Sequence, residues 1–208
     1  MSFRPLLCAC LAIAVSGPAL RAQSSSSSNQ GRKSSPATKP ALDPGAVVGG
    51  IYRNTSLSFT CKLPPAWVLR TDEMNADQGE AAGRVLFAAF SRPPQAKGED
   101  VNSSIVIAAE SAAVYPGLKD AAQYFGPLTE VAKAQGFDVV EEPYDFAVGS
   151  KTVVRGDFEK NVGSRAMHQS SLVMLARGYV VSFTFIGGTE DEVEDLIGNL
   201  ALTAPAKR

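Results

Sequence analysis

Residues 144–186 carry the strongest structural signal in the chain and read YDFAVGSKTVVRGDFEKNVGSRAMHQSSLVMLARGYVVSFTFI. Three turn signals, Gly149-Ser150, Val162-Gly163 and Arg177-Gly178, divide this stretch into four segments in which apolar residues alternate with other residues. A spacing of two is typical of strands, and glycine-containing pairs between such runs favour tight hairpins. The stretch therefore predicts four antiparallel strands joined by short turns.

The turns also predict which residues lie opposite one another, because a hairpin turn fixes the register of its two strands. The three turns place five pairs side by side: Tyr144 with Arg155, Arg155 with Ser170, Asp157 with His168, Leu172 with Phe183, and Ser170 with Phe185. Side chains alternate along a strand, so one face of the sheet carries an apolar half and a polar half. The polar half consists of Tyr144, Arg155, Asp157, His168 and Ser170.

These five residues form the candidate binding site, and three interpretations of them are open. The first is a set of cross-strand contacts with a structural role alone, in which Asp157 pairs with His168. The second is a polar pocket in which Arg155 receives the carboxylate or phosphate of a small anionic ligand. The third is a hydrolase with Ser170 as nucleophile, although neither a nucleophile elbow nor an oxyanion hole is identifiable. We therefore predict no catalytic residue.

Further strands are predicted before this region. A strand with its large side chains on one face is indicated by the alternation of Leu57, Phe59, Cys61 and Leu63. The segments 85–90 and 105–107 are apolar at every position, which is typical of strands covered on both sides.

Two helices are predicted from apolar residues at helical spacing. The first carries Pro127, which should kink or split it, ends at Gly136, and has the stripe Leu118, Ala122, Phe125, Leu128 and Ala132. The second begins at Thr189, which forms a capping box with Glu192, and has the stripe Val193, Leu196, Ile197 and Leu200. Antiparallel hairpins flanked by helices indicate the α+β class with a central sheet.

The order of these elements and one short motif resemble a known family. The motif consists of Tyr52-x-Asn54, Phe59, Leu63-Pro64 and Trp67. It is similar to the opening of the PsbP-like superfamily, which includes the photosystem II extrinsic protein PsbP and the Ran-binding Mog proteins. The resemblance implies an antiparallel β-sheet sandwiched between α-helices, an α/β/α sandwich that usually acts as a binding or assembly module without a cofactor.

The N-terminal part predicts export. Arg4 is followed by an apolar run at 6–15 and by a short stretch that ends at Ala22, which is the order of regions in a secretory signal peptide. Residues 23–46 are rich in serine and proline and favour a disordered linker. We expect a signal peptide at 1–22, the linker at 23–46 and one PsbP-like α+β domain at 47–208, with no transmembrane segment in the mature chain.

Composition narrows the function further. The 20 basic and 21 acidic residues leave no overall positive charge, so nucleic acid is not an expected partner. With one histidine, and with Cys61 as the one cysteine after residue 22, no zinc site of usual spacing is present and no metal site is predicted. Cys61 alternates with apolar residues and is expected to point inward and to be inert.

Together these observations predict an exported, non-enzymatic binding or accessory domain that is periplasmic or extracellular. Its partner is expected to be a protein of the cell envelope or of the space outside the cell. The alternative is a small anionic-ligand binder that uses the face of Tyr144, Arg155 and His168, or a hydrolase built on Ser170.

Overall fold

A computed structural model of the protein describes residues 42–76, 83–93 and 101–203. The predicted signal peptide at 1–22 and the predicted linker up to residue 41 lie outside the described residues. Within the described ranges the chain folds mostly as antiparallel β-sheet with few helices.

The strands form two sheets. The smaller sheet has the order β1 (Ala46–Val48), β2 (Ile51–Asn54), β3 (Phe59–Lys62) and β11 (Leu200–Leu202). The larger sheet has the order β4 (Val68–Leu69), β5 (Gly83–Phe90), β6 (Ser104–Ser111), β10 (Tyr179–Gly187), β9 (Arg165–Ala176), β8 (Lys151–Val162) and β7 (Asp138–Val148). The predicted four-strand meander is thus present as β7 to β10.

Two of the three predicted turns have the predicted register. Tyr144 lies opposite Arg155 across the turn at Gly149-Ser150, and Phe183 lies opposite Leu172 across the turn at residues 177–178. Apolar residues fill the predicted fully covered strands, since every side chain from 85 to 90 and from 105 to 107 is buried. The hydrophobic pattern was therefore sufficient to place these strands.

The turn between β8 and β9 differs from the prediction. Its loop consists of Gly163 and Ser164, so Val162 lies opposite Arg165. Gly163 has a φ of +62°, a left-handed conformation that favours glycine at the first loop position. Every pair across these two strands therefore moves by two residues. Because side chains alternate with a period of two, the shift changes the partners and keeps each side chain on its predicted face.

The predicted strand around Phe59 is shorter than expected. Leu57 lies in the turn between β2 and β3, and its N–H donates to Asn54 Oδ1 at 2.8 Å. Ser58 has a φ of +61°, which reverses the chain before β3 begins. Phe59 and Cys61 remain in the strand and are buried. The Asn54 side chain thus bonds to the Leu57 N–H in place of a neighbouring strand, and the strand that the sequence predicted from Leu57 begins only at Phe59.

Helix α2 (Phe125–Ala134) fulfils most of the first helix prediction. It follows a 3₁₀ turn at Ala122–Tyr124, so Leu118 and Ala122 of the predicted stripe lie outside α2, and the helix continues through Pro127, where a kink or split was expected. Pro127 lies in the first turn, where backbone N–H groups have no intrahelical partner, and is tolerated there. Gly136 follows the helix with a φ of +85°, as its position predicted.

Helix α3 (Glu190–Ile197) begins as predicted and ends earlier. Thr189 Oγ1 accepts the N–H of Glu192 at 3.1 Å, while the Glu192 carboxylate accepts the N–H of Gly188 at 2.8 Å. Leu200, placed in the helical stripe by the sequence, lies instead in β11, because the helix stops before Gly198. No helix in the described part of the chain is long and apolar enough to cross a membrane.

Helix α1 (Thr71–Ala76) was not predicted and closes one edge of β5. The Asn75 amide donates to the carbonyl of Val85 at 2.8 Å and its oxygen accepts the Val85 N–H at 3.0 Å. Thr71 Oγ1 accepts the N–H of Ala88 at 3.0 Å. These side chains satisfy backbone groups that a neighbouring strand would otherwise satisfy.

Helix α2 covers one face of the larger sheet. Its apolar side chains join strand residues in one buried cluster: Tyr124, Phe125, Leu128, Ala132, Phe137, Phe158, Val173 and Val180. Gly156 of β8 permits the close approach, because a Cβ at this position would lie 2.6 Å from the Phe125 ring. The absence of a side chain at Gly156 therefore allows helix α2 to pack directly against strand β8.

The opposite face of the larger sheet meets the smaller sheet and α3. The Phe59 ring meets Phe183 edge-on with centroids 5.1 Å apart, and the Tyr52 ring lies 5.2 Å from that of Phe87. A second sheet therefore covers part of this face, where the expected sandwich has helices, and the structure contains more strand than that sandwich. The antiparallel sheet is as predicted, and its enclosure between helices is not confirmed.

The chain before β1 packs onto the smaller sheet. Tyr52 donates its hydroxyl hydrogen to the carbonyl of Pro44 at 2.8 Å, and Asn54 Nδ2 donates to the carbonyl of Asp43 at 2.8 Å. Residues 43–46, which the sequence assigned to the linker, therefore make specific contacts with the domain. The Tyr52-x-Asn54 motif thereby fixes the backbone of Asp43 and Pro44 against the smaller sheet.

Candidate functional site

The five candidate residues lie on three neighbouring strands. Tyr144 belongs to β7, Arg155 and Asp157 to β8, and His168 and Ser170 to β9. Asp157 lies directly opposite Ser170, and His168 lies opposite Glu159. The predicted pairs of Asp157 with His168 and of Arg155 with Ser170 are therefore wrong, because the turn before β9 contains Gly163 and Ser164.

Asp157 is the centre of the hydrogen bonds in this group. Its carboxylate accepts the Tyr144 hydroxyl at 3.0 Å and the Arg155 Nε–H at 2.9 and 3.1 Å. It also accepts the hydroxyl of Ser170. The structure thus brings together four of the five predicted residues, Tyr144, Arg155, Asp157 and Ser170, which we call the Asp157 cluster.

Arg155 connects the Asp157 cluster to helix α3. Its Nη2 donates to Ser170 Oγ at 3.0 Å and lies 2.5 Å from the carboxylate of Glu194. The guanidinium also lies over the Phe146 ring, 4.8 Å from its centroid. Only 9% of the Arg155 side chain is exposed, whereas 51% of the Glu194 side chain is exposed. A buried guanidinium is therefore shared between two carboxylates.

Glu194 was not predicted as a site residue, because an acid near the start of a helix is ordinarily explained by its interaction with the helix dipole. A signal was available in the helical spacing. Glu190 and Glu194 are four residues apart and share one helix face, and in the structure Glu190 lies 4.0 Å from His168 Nδ1. The two glutamates therefore mark the α3 face that meets the polar half of the sheet.

His168 stands apart from the Asp157 cluster. Its Nδ1 lies 4.0 Å from Glu159 of β8 and 4.0 Å from Glu190 of α3. Ser170 Oγ instead donates a hydrogen bond to Asp157 and accepts one from Arg155. A serine nucleophile needs a free general base at its hydroxyl. The Ser170 hydroxyl donates to Asp157, a carboxylate already paired with Arg155, and not to His168. This geometry does not favour the hydrolase hypothesis.

The pKa directions follow from burial and charge. Burial raises the pKa of Tyr144 to about 12, and the nearby Asp157 carboxylate adds to the shift. For Arg155, burial acts to lower the pKa, but the contacts with Glu194 and Asp157 outweigh it and leave the pKa above its ordinary value. Both groups therefore keep their protons firmly, which suits a structural network better than proton transfer.

The Asp157 cluster has little room for an incoming anion. Nε and Nη2 of Arg155 are engaged by Asp157, Ser170 and Glu194. A carboxylate or phosphate ligand that binds Nη2 takes the position of the Glu194 carboxylate. Among the described residues no group of three or more histidine, cysteine or acidic side chains is placed to hold a metal ion.

Two open grooves lie elsewhere, on either side of strand β1. Each has a volume of about 410 Å³. The first runs between β1 and the segment that follows β4, with Val47 and Leu69 on its walls. The second is lined by Val48 and Ile51. The structure thus separates the polar cluster that the sequence singled out from the surface depressions of the domain.

No protein-family model matches the sequence, and no curated protein matches it. Among solved structures, PsbP of Synechocystis sp. PCC 6803 is similar, with 18% identity, a TM-score of 0.47 and coverage of 77% of this chain and 99% of that chain. LpqN, involved in cell envelope biogenesis of Mycobacterium tuberculosis, has 16% identity, a TM-score of 0.39 and coverage of 78% and 87%. A mutant of Mog1 has 12% identity, a TM-score of 0.40 and coverage of 72% and 81%.

These similarities concern the fold alone. PsbP and Mog1 are the proteins that exemplify the family resembled by the Tyr52-x-Asn54 region of the sequence, and they are among the similar structures. The similar structures thus include both proteins that stand for the suspected PsbP-like family, at identities of 18% and 12% and TM-scores of 0.47 and 0.40. No activity or partner follows from matches of this kind.

Proposed function

We propose that the protein is an exported, non-enzymatic binding or accessory domain that engages a protein partner in the cell envelope or outside the cell. The observation that carries this proposal is the open edge of the smaller sheet at β1. All three residues of β1 are exposed, and 76% of the Val48 surface is accessible.

An open edge favours binding because its outer backbone groups are available to another strand. Within the described chain β1 pairs with β2 and has no second neighbour. Extended segments bind such edges through main-chain hydrogen bonds, and side-chain pockets beside the edge provide specificity. The grooves on both sides of β1 offer such pockets.

The state of the Asp157 cluster supports a non-enzymatic role. Asp157, Arg155 and Ser170 bond to one another, and Arg155 also holds Glu194. Their polar groups therefore serve to connect β7, β8 and β9 with α3. Export itself rests on the pattern of residues 1–22, with the part of the linker before residue 43 separating the domain from the N-terminal segment.

Site-specific photo-cross-linking in the native host tests the proposal. A photoreactive residue at Val48 should capture one defined protein, whereas the same residue at Val162 should not. Val162 is a matched control because it is an exposed valine, with 44% of its surface accessible, at the end of β8. If Val48 yields no adduct, or the same adducts as Val162, the proposal is wrong.

A second candidate function is the binding of a small anionic ligand by Arg155, with Tyr144 and His168 beside it. One observation favours it: the carboxylate on Nη2 comes from Glu194, a half-exposed side chain on another element. A ligand carboxylate or phosphate can take the same position once Glu194 swings out. Thermal-shift measurements with citrate and phosphate test this candidate, as set out in the Discussion.

A further inference from the structure

We infer that the occupant of the open β1 edge is a second copy of this chain. The two β1 strands would pair in antiparallel fashion about a two-fold axis beside Val47, so that Ala46 of one copy lies opposite Val48 of the other. This inference rests on the proposed function, because it names the partner of the same edge. It joins the two small sheets into one continuous sheet.

The backbone at Val47 is suited to this pairing. The residues that flank a two-residue hairpin loop bond to each other, and here these are Val48 and Ile51 on either side of Gly49-Gly50. Alternate residues in an antiparallel pair direct their N–H and C=O groups to opposite sides. Val47 therefore presents both groups away from β2, which permits reciprocal hydrogen bonds with Val47 of another copy.

Apolar surface is concentrated at this edge. Three of the seven exposed large apolar residues in the described chain lie here: Val47, Val48 and Leu69. Val47 and Leu69 both line the first groove. Pairing of two copies would remove part of this surface from water, which supplies a hydrophobic contribution to association.

The charges around the edge favour a copy over an unrelated partner of one charge sign. The charged residues that line the two grooves in the described chain are three arginines and three acids: Arg53, Arg70, Arg84, Asp43, Asp72 and Glu73. A two-fold interface brings the same surface of each subunit together, so a surface of one sign would repel its copy. A rim with equal numbers of both signs is compatible with itself.

Strand β7, an outer strand of the larger sheet, has the opposite composition. Strand β7 carries four acids and no basic residue, Asp138, Glu141, Glu142 and Asp145 being the acids. It also contains Pro143 and two irregularities of register. Like charges, proline and bulges are the means by which proteins prevent edge-to-edge pairing. Strand β7 thus has features that oppose pairing with a second copy, whereas the three residues of β1 include no charge and no proline and pair with β2 in regular register.

Sedimentation velocity of the secreted protein tests the inference with two charge reversals. Arg84→Glu leaves two arginines against four acids around the edge, a net charge of −2, and Asp72→Arg gives the reverse, +2. The wild type should form a reversible dimer, and each variant alone should dissociate at least about 10-fold more readily because like charges face each other. An equal mixture of the two variants should recover the dimer.

Lys119→Glu, a charge reversal on an exposed residue that lines neither groove, is the matched control and should dimerise as the wild type does. Circular dichroism checks that each variant is folded. A wild type that remains monomeric, variants that dimerise as well as the wild type, or a mixture without recovery would each overturn the inference. If the wild type is monomeric while Val48 still cross-links to a different protein, the inference fails and the proposed function stands.

Discussion

Glu194 of helix α3 lies 2.5 Å from Arg155 of strand β8, and this contact ties the last helix to the larger sheet next to its outer strand β7. Arg155 is nearly buried and also bonds to Asp157, whereas half of Glu194 is exposed. Removal of Arg155 and removal of Glu194 should therefore lower the free energy of unfolding by different amounts.

Replacing Arg155 by alanine should destabilise the domain far more than replacing Glu194. Arg155→Ala leaves the partly buried Asp157 without its counter-charge and should lower the free energy of unfolding by about 2–4 kcal/mol. Glu194→Gln removes a half-exposed partner and should cost less than about 1 kcal/mol. Urea unfolding of both variants measures the difference. Equal losses would contradict the central place of Arg155.

Gly156 should not tolerate a side chain. A Cβ here would lie 2.6 Å from the buried Phe125 ring, so Gly156→Ala should lower the free energy of unfolding by about 1–3 kcal/mol through overpacking. Gly126→Ala is the matched control, because no atom lies within 4 Å of its Cβ and alanine favours the helix. Thermal unfolding compares the two. A Gly156 variant as stable as the control would show that the helix adjusts freely.

Cys61 should be inert in the folded protein. The thiol is fully buried, and burial raises its pKa to about 12, so thiolate is scarce at neutral pH. Alkylation followed by mass spectrometry of the peptide that contains Cys61 should show slow labelling under native conditions and rapid labelling in denaturant. Rapid native labelling would mean that the β3 region opens readily.

The domain should lose stability between pH 10 and 12. Burial raises the pKa of Tyr144 to about 12, and that of Tyr52 also to about 12. Since an unfolded tyrosine titrates near 10, their contribution is complete below about pH 10 and is lost as the pH rises through the folded value. Urea unfolding across this range should show a shallower decline for Tyr144→Phe than for the wild type. Identical slopes would contradict the assignment.

The anion-binding candidate predicts that Glu194 competes with ligand. Citrate or phosphate should raise the melting temperature of Glu194→Gln more than that of the wild type, because the internal carboxylate is gone. Arg155→Ala should abolish the shift. Asp195→Asn, a neighbouring acid that makes no contact with Arg155 in the structure, serves as the control. No anion-dependent shift in any variant would remove this candidate.

Local patterns were sufficient for much of the fold. The two glycine turns at residues 149 and 178, the helix start at Thr189 and the covered strands at 85–90 were predicted because each depends on neighbours in sequence. The error at Gly163 also has a local cause. Gly149-Ser150 and Gly163-Ser164 are the same dipeptide in the same role, and this repetition was a usable signal.

Contacts between segments farther apart could not be predicted from local patterns. The bond of the Asn75 amide to Val85 depends on the chain returning to a particular place beside β5. In the sequence Glu194 is not distinguishable from other acids near a helix start, and only the packing of α3 against β8 and β9 brings it to Arg155. For the same reason Leu200 was predicted to be helical, although it pairs with Cys61 of β3 in the smaller sheet.

The amino-acid sequence by itself determined which residues form strands, which side chains share the polar face and where the chain reverses, because these depend on a period of two and on glycine conformations. Only the tertiary structure decided that Glu194 contacts Arg155, that Glu190 lies near His168, and that β1 is an outer strand among the described residues. Periodicity specifies a face and not a partner. Partners depend on turn geometry and on the packing of elements far apart in the chain, for which no single segment carries the information.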